Sequence, residues 1–130
     1  MTDIFEGIYS LWSNDATLKA ALPRLYAVQA PDRADYPYGV FFVITSSPDF
    51  TFTRSYEHLI IQFSIYDDMD AGIVALNSIH DKMCNVYDMG RITDDNSIRY
   101  KMIRCRDSIL PDPDGACYQL TMDYEIMKAV

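Results

Sequence analysis

The chain is expected to fold as an α+β domain. A mostly antiparallel sheet of about four to five strands should pack against an N-terminal helix and a central helix, with a long hairpin arm. Three observations predict this class. Apolar residues recur at helical spacing near the N-terminus and again after Asp70. Period-two alternation occupies the segments between them and the C-terminal third. The resulting order α-β-β-β-α-β-β lacks the strict βαβ alternation of parallel sheets.

Taken in order, Ile4, Phe5, Ile8, Leu11 and Trp12 form one helical stripe, with Thr2 or Asp3 available as a cap and Trp12 anchoring the end. A second short helix should start after Asp15 as N-cap and stop at Leu22, because Pro23 disfavours helical geometry in the residue before it. Arg24 to Gln29 reads as extended. Pro31 and Pro37 then rigidify an irregular loop that feeds a strand from Tyr38 to Thr45, apolar on both faces. Ser47-Pro48-Asp49 is a turn signal, so residues 46 to 56 read as a long hairpin arm or loop. Leu59, Ile61, Phe63 and Ile65 point one way in the next strand. After Asp70 the period changes, and Ile73, Leu76, Ile79 or His80, Met83 and Tyr87 line a helix ending near Gly90. Ile98 to Ile109 and Cys117 to Met127 flank the turn sequence PDPDG. With the turn centred between Asp112 and Pro113, Ile103 and Cys105 share a face with Tyr118, Leu120, Met122 and Ile126. Arg104 and Arg106 then share the other with Thr121, Asp123 and Glu125.

The 130 residues, 49% of them hydrophobic, fit one domain covering 1–130. The net charge of -8 argues against non-specific affinity for nucleic acid or an anionic membrane, since either surface would repel the chain as a whole. No apolar run approaches the roughly 20 residues of a membrane span, and no basic residue precedes Lys19, which leads to the expectation of cytoplasmic synthesis without a secretory signal. Cys84, Cys105 and Cys117 are odd in number and widely spaced, so they read as free thiols among the small core residues.

Asp67, Asp68 and Asp70 could hold a hard cation through their oxygens. Their place at a strand-to-helix seam favours capping instead, with Asp68 or Asp70 as N-cap. Asp112-Pro113-Asp114-Gly115 resembles part of a calcium loop, but the position that needs Glu is Thr121, so turn chemistry explains it. His80 and Cys84 stand four apart on one helix face, yet no further ligand or base completes a metal or nucleophile set. There is no GxSxG, GxGxxG or Walker A sequence, and no catalytic residue, metal ligand or cofactor is expected. Arg99, Lys101, Arg104 and Arg106 form the one basic cluster, the last two facing acids across the hairpin or in a neighbouring subunit. The polar connection DFTFTRSY carries Phe50, Phe52, Arg54 and Tyr56, the residue types in which protein interfaces are enriched. Those four, with Arg104 and Arg106, are the candidate interface residues.

The N-terminal helix followed by NDATLKAALPRLYAVQAPDRADYPYGVFFVI, then HLIIQFSIYDDMDAGIVAL as a strand running into a helix, resembles the tail-completion or tail-terminator proteins of long-tailed bacteriophages. The pattern spans roughly residues 2 to 127. The resemblance implies a sheet flanked by helices and a structural virion protein without catalysis, made in the host cytoplasm and residing at the head-tail junction. It also implies a homohexameric ring that ends tube polymerisation, with the major tail tube protein and a head-completion or connector protein as partners. DNA would pass through that ring without specific binding. A bacterial or prophage protein-binding adaptor domain is the alternative, and a small metal-dependent enzyme using the Asp67 to Asp70 cluster a third reading.

Overall fold

A computed structural model describes residues 2–31, 34–50, 55–68, 70, 72–93, 99–111 and 117–128, with backbone alone at 2–3, 46–50, 55–57 and 128. The elements are α1 (Thr2–Ser13), α2 (Ala16–Ala21), β1 (Leu25–Ala27), β2 (Tyr38–Phe50), β3 (Ser55–Asp68), α3 (Gly72–Tyr87), β4 (Arg91–Thr93), β5 (Arg99–Pro111) and β6 (Cys117–Lys128). They build one six-stranded sheet in the order β1-β2-β3-β6-β5-β4. The β1–β2 pair is parallel and the other strand pairs are antiparallel. The α+β class and mostly antiparallel character agree with the sequence. The expected four to five strands and their order need correction, because the three-residue β4 is too short to show any periodicity and α2 stands as a separate element.

Local rules explain most of the boundaries. Asp15 caps α2, its Oδ1 accepting from the Leu18 N–H at 2.8 Å, and the helix gives way at Leu22 before Pro23. Trp12 fastens the end of α1, as its Nε1–H donates to the Leu22 carbonyl at 2.7 Å. Thr2 and Asp3 lie inside the first turn of α1. α3 ends at Tyr87, near Gly90 as expected, and the left-handed residue beyond it is Met89 (φ +60°).

The core lies between the helices and one face of the sheet. Leu59, Ile61, Phe63 and Ile65 of β3 are fully buried, as their alternation predicts, and share one core with Leu76, Ile79, Met83 and Tyr87 of α3. Ile73 departs from that stripe and is 47% exposed. Burying a side chain of this size is worth about 1.5–3 kcal/mol, so this layer outweighs the surface ion pairs, worth about 0–1 kcal/mol each. The Tyr87 hydroxyl donates to the Ile8 carbonyl at 2.8 Å and ties α3 to α1.

The sheet curls around α1, which meets both of its edges. A Cβ on Gly7 would come within 2.5 Å of Ile92 Cγ2 in β4, one edge strand. Phe5 and Tyr9 border Ala27 of β1, the other edge, across a groove. The opposite face of the sheet carries no helix among the described residues.

Candidate interaction surfaces

The hairpin arm is longer and more regular than expected. Ser47-Pro48-Asp49 is not a turn, since Ser47, Pro48 and Asp49 pair in register with His58, Glu57 and Tyr56, and the strands end at Phe50 opposite Ser55. Proline fits there because of where its nitrogen points. The Gly39 N–H donates to Arg24 and the Phe41 carbonyl accepts from Val28, so alternate residues of β2 face the β1 side. The one-residue shift between Val43 and Thr45 then turns Ser46, Pro48 and Phe50 toward the same side, beyond the reach of β1. β6 pairs with β3 only from Leu59 onward, so the arm above that level is a two-stranded ribbon. At its base His58 Nε2 lies 2.5 Å from Glu125 Oε1. Phe52 and Arg54 lie outside the described residues. The structure brings Tyr56 and Asp49 opposite each other and places Phe50 at the last described pair.

Arg104 and Arg106 do not share a face. Between them the register with β6 slips by one residue, Arg104 pairing with Tyr124 and Arg106 with Asp123, so Cys105 is a bulge. The expected face assignment holds from Arg106 onward and reverses before it: Ile103 pairs with Glu125 and lies on the helix-free side. Arg106 Nε donates to Asp123 Oδ2 at 2.5 Å, the cross-strand ion pair the sequence suggests. Asp123 is 4% exposed, and its Oδ1 has no partner among the described residues. The guanidinium of Arg106 therefore lies on the helix-free face over a buried carboxylate.

Arg104 turns toward α3 and joins a polar cluster the sequence did not assemble. Its guanidinium donates to Asp107 Oδ2 at 2.9 Å and to Cys84 Sγ at 3.1 Å, and it lies 3.4 Å from Asp88. The His80 ring sits between two carboxylates, with Nε2 2.6 Å from Asp107 and Nδ1 3.1 Å from Asp81. Burial pulls the His80 pKa down, but hydrogen bonds to Asp107 and Asp81 outweigh it and raise the value above that of a free imidazole, against the opposing charge of Arg104. The hydrogen bond from His80 holds Asp107 below the usual carboxylate range. Burial, helped by Asp88, pushes the Cys84 thiol up from its ordinary value. The Tyr124 hydroxyl donates to the other oxygen of Asp88 at 2.6 Å. Of the three cysteines only Cys117 is buried; Cys105 is exposed at the bulge.

At the aspartate seam β3 ends at Asp68 and α3 begins at Gly72, so the two expected cap residues, Asp68 and Asp70, lie at the end of β3 and in the connection between the two elements. Asp68 Oδ1 accepts from the Asp70 N–H at 2.9 Å, and Asp67 Oδ1 from the Asp68 N–H at 2.8 Å. These bonds close the turn that leaves the strand. Among the described residues no three His, Cys, Asp or Glu side chains are grouped to hold a metal. The turn at Asp112 to Gly115 lies outside the described residues; the register places its flanks at Pro111 and Tyr118.

A further surface feature is an apolar groove of about 440 Å³ between α1 and the β1–β2 edge, lined by Phe5, Glu6, Tyr9, Ser10, Ala27 and Phe41. Sequence periodicity does not reveal it, because Phe5 and Phe41 read there as ordinary core positions. No helix of the described chain is long and apolar enough to cross a membrane.

No protein-family model and no curated protein matches this chain. Among solved structures, a chain from the virion of the native gene transfer agent particle superposes with a TM-score of 0.81 at 12% identity, over 95% of this chain and 92% of that one. A second solved structure gives a TM-score of 0.57 at 11% identity over 96% of each chain. What is shared at such identities is the fold.

Proposed function

We propose that this protein is a structural component of a phage-like virion that caps the tail tube as an oligomeric ring, ends tube polymerisation and offers the surface on which the head is joined. The observation that carries this reading is the likeness to a chain of the gene transfer agent virion, which extends over nearly the whole of both chains. The resemblance of the helix-loop-strand segments to tail terminators points the same way and specifies the junction, a hexameric ring, and the tube and head-completion proteins as neighbours. Two physical features suit the role. A ring through which genomic DNA travels is served by walls that do not hold phosphate, and the chain carries a net charge of -8. A two-stranded ribbon reaching past its own sheet is marginal by itself in water, and packing against a neighbour stabilises it. The chain makes or breaks no bond in this account.

Electron microscopy of the purified protein, alone and mixed with tail tubes, tests the proposal. Rings, or density confined to one tube end, are the expected result. Phe50→Ser combined with Phe52→Ser should leave the melting temperature intact and abolish that assembly. A chain that stays monomeric and ignores the tubes would leave the adaptor reading in its place.

A further inference from the structure

Building on the ring reading, we infer that the sheet of one copy continues into the next, the outer edge of β2 from Val43 to Phe50 pairing antiparallel with the outer edge of a neighbour's β5 from Arg104 to Pro111. Each strand is covered on its outer side at one end only. β1 accompanies β2 opposite Gly39, Val40 and Phe41, and β4 accompanies β5 opposite Arg99, Tyr100 and Lys101. The last outward bonds of β5 belong to Met102, whose N–H donates to the Gly90 carbonyl at 2.9 Å and whose carbonyl accepts from the Met89 N–H at 3.0 Å. Beyond it no described strand lies beside β5. Arg104, Cys105, Arg106, Asp107 and Ser108 are accordingly exposed in unbroken succession, where a strand covered on one face would alternate.

Backbone direction names the occupant. Three antiparallel pairings separate β2 from β5 in the sheet, so the two strands run oppositely, and a second copy placed in the same orientation beside β5 brings up its β2 antiparallel. The slip at Cys105 turns Asp107 and Ile109 outward, as the shift between Val43 and Thr45 turns Ser46 and Phe50 outward. Pro48 withholds one N–H and keeps its carbonyl.

The same pairing can close into a ring. Ser46 stands level with Met102, through Leu59 and Ile126, so bringing the middle of the arm edge against the middle of the open β5 edge slides the neighbour by about five residues, roughly 17 Å. That step is taken over four strands, β2, β3, β6 and β5, roughly 19 Å wide at the usual spacing. The implied strand tilt is about 40°, inside the range at which staggered sheets close on themselves. The neighbour's β1 then falls past Pro111, clear of β4. Donor and receptor edges belong to opposite sides of one molecule, the condition for a heterologous contact that closes by rotation.

The test is amide hydrogen exchange on the full chain, dilute and assembled, alone and on tail tubes. Assembly should slow exchange about tenfold or more both at Arg104, Asp107 and Ile109 and at Val43, Ser46 and Phe50. Ser46→Pro removes an outward N–H from the position two residues before Pro48, and should raise the concentration for half-maximal assembly about tenfold with an unchanged melting temperature. If that variant melts lower, the exchange pattern alone decides. Protection of one edge without the other, as in a two-fold dimer, or of neither, overturns this inference and leaves the ring proposal standing; so does a stable Ser46→Pro chain that assembles like wild type. A wild-type chain that does not assemble under either condition removes both.

Discussion

Val28 sits at φ +69°, a left-handed backbone that a β-branched side chain rarely adopts. The position is imposed by the strand edge: its N–H donates to the Phe41 carbonyl at 2.8 Å, closing β1 onto β2. That conformation costs a non-glycine residue about 1–2 kcal/mol, and a side chain 64% exposed recovers little by burial. Glycine removes the strain but adds about 0.5–1 kcal/mol of unfolded-state entropy to be lost. Val28→Gly should therefore stabilise the chain by about 0.5–1 kcal/mol in urea melts. A loss would show that the isopropyl group makes a contact worth more than the strain. Gly7 gives the opposite case. Alanine there gains about 1 kcal/mol of helix propensity. Its Cβ would meet Ile92, 3% exposed, at 2.5 Å, and overpacking of a filled core costs about 1–3 kcal/mol. The clash should win, so Gly7→Ala is expected to lower the melting temperature, and an unchanged or higher value would mean that β4 is free to move away from α1.

Between elements, the contact of α3 with β5 is where pH enters. His80 has a folded pKa above its free value, so what its ion pair adds is fully present below the unfolded pKa near 6.5 and is lost as pH rises through the higher folded value. Asp107, the same pair seen from the carboxylate, has a lowered pKa; its contribution is present above the unfolded pKa and is lost as pH falls through the folded one. Stability should thus drop as pH rises through the range just above 6.5, and His80→Gln should flatten that part of the profile. A wild-type melting temperature that climbs over the same interval would contradict the assignment. This cluster also marks where sequence reasoning stopped. Alternation along β3 and the stripe of α3 were legible because their periods persist through whole elements. The reversal of Arg104 was not, because the bulge at Cys105 inserts one residue, leaves no compositional mark and moves every earlier side chain of β5 to the other face. β4 escaped for a related reason, since Arg91–Thr93 is held in the sheet by its neighbour and by the α1 packing of Ile92, with too few residues to show a pattern. Ser47-Pro48-Asp49 carried true turn chemistry and lost to tertiary pairing with His58, Glu57 and Tyr56.

At the scale of the molecule, the curled sheet places an arm at one end of β2 and an apolar groove at the other, with a helix-free face between the edges. The arm was legible as a polar stretch with alternating aromatics; the groove was not, because its walls come from α1, β1 and β2 and exist only after the sheet has closed around α1. The proposed ring would rest on such separate surfaces meeting between copies. The most direct measurement of that role is the length of tail tubes polymerised from tube protein with and without this chain. The account predicts that tubes stop growing at one end, each bearing a ring of this protein there. Tubes that elongate equally in its presence, with the protein left in the supernatant, would contradict it.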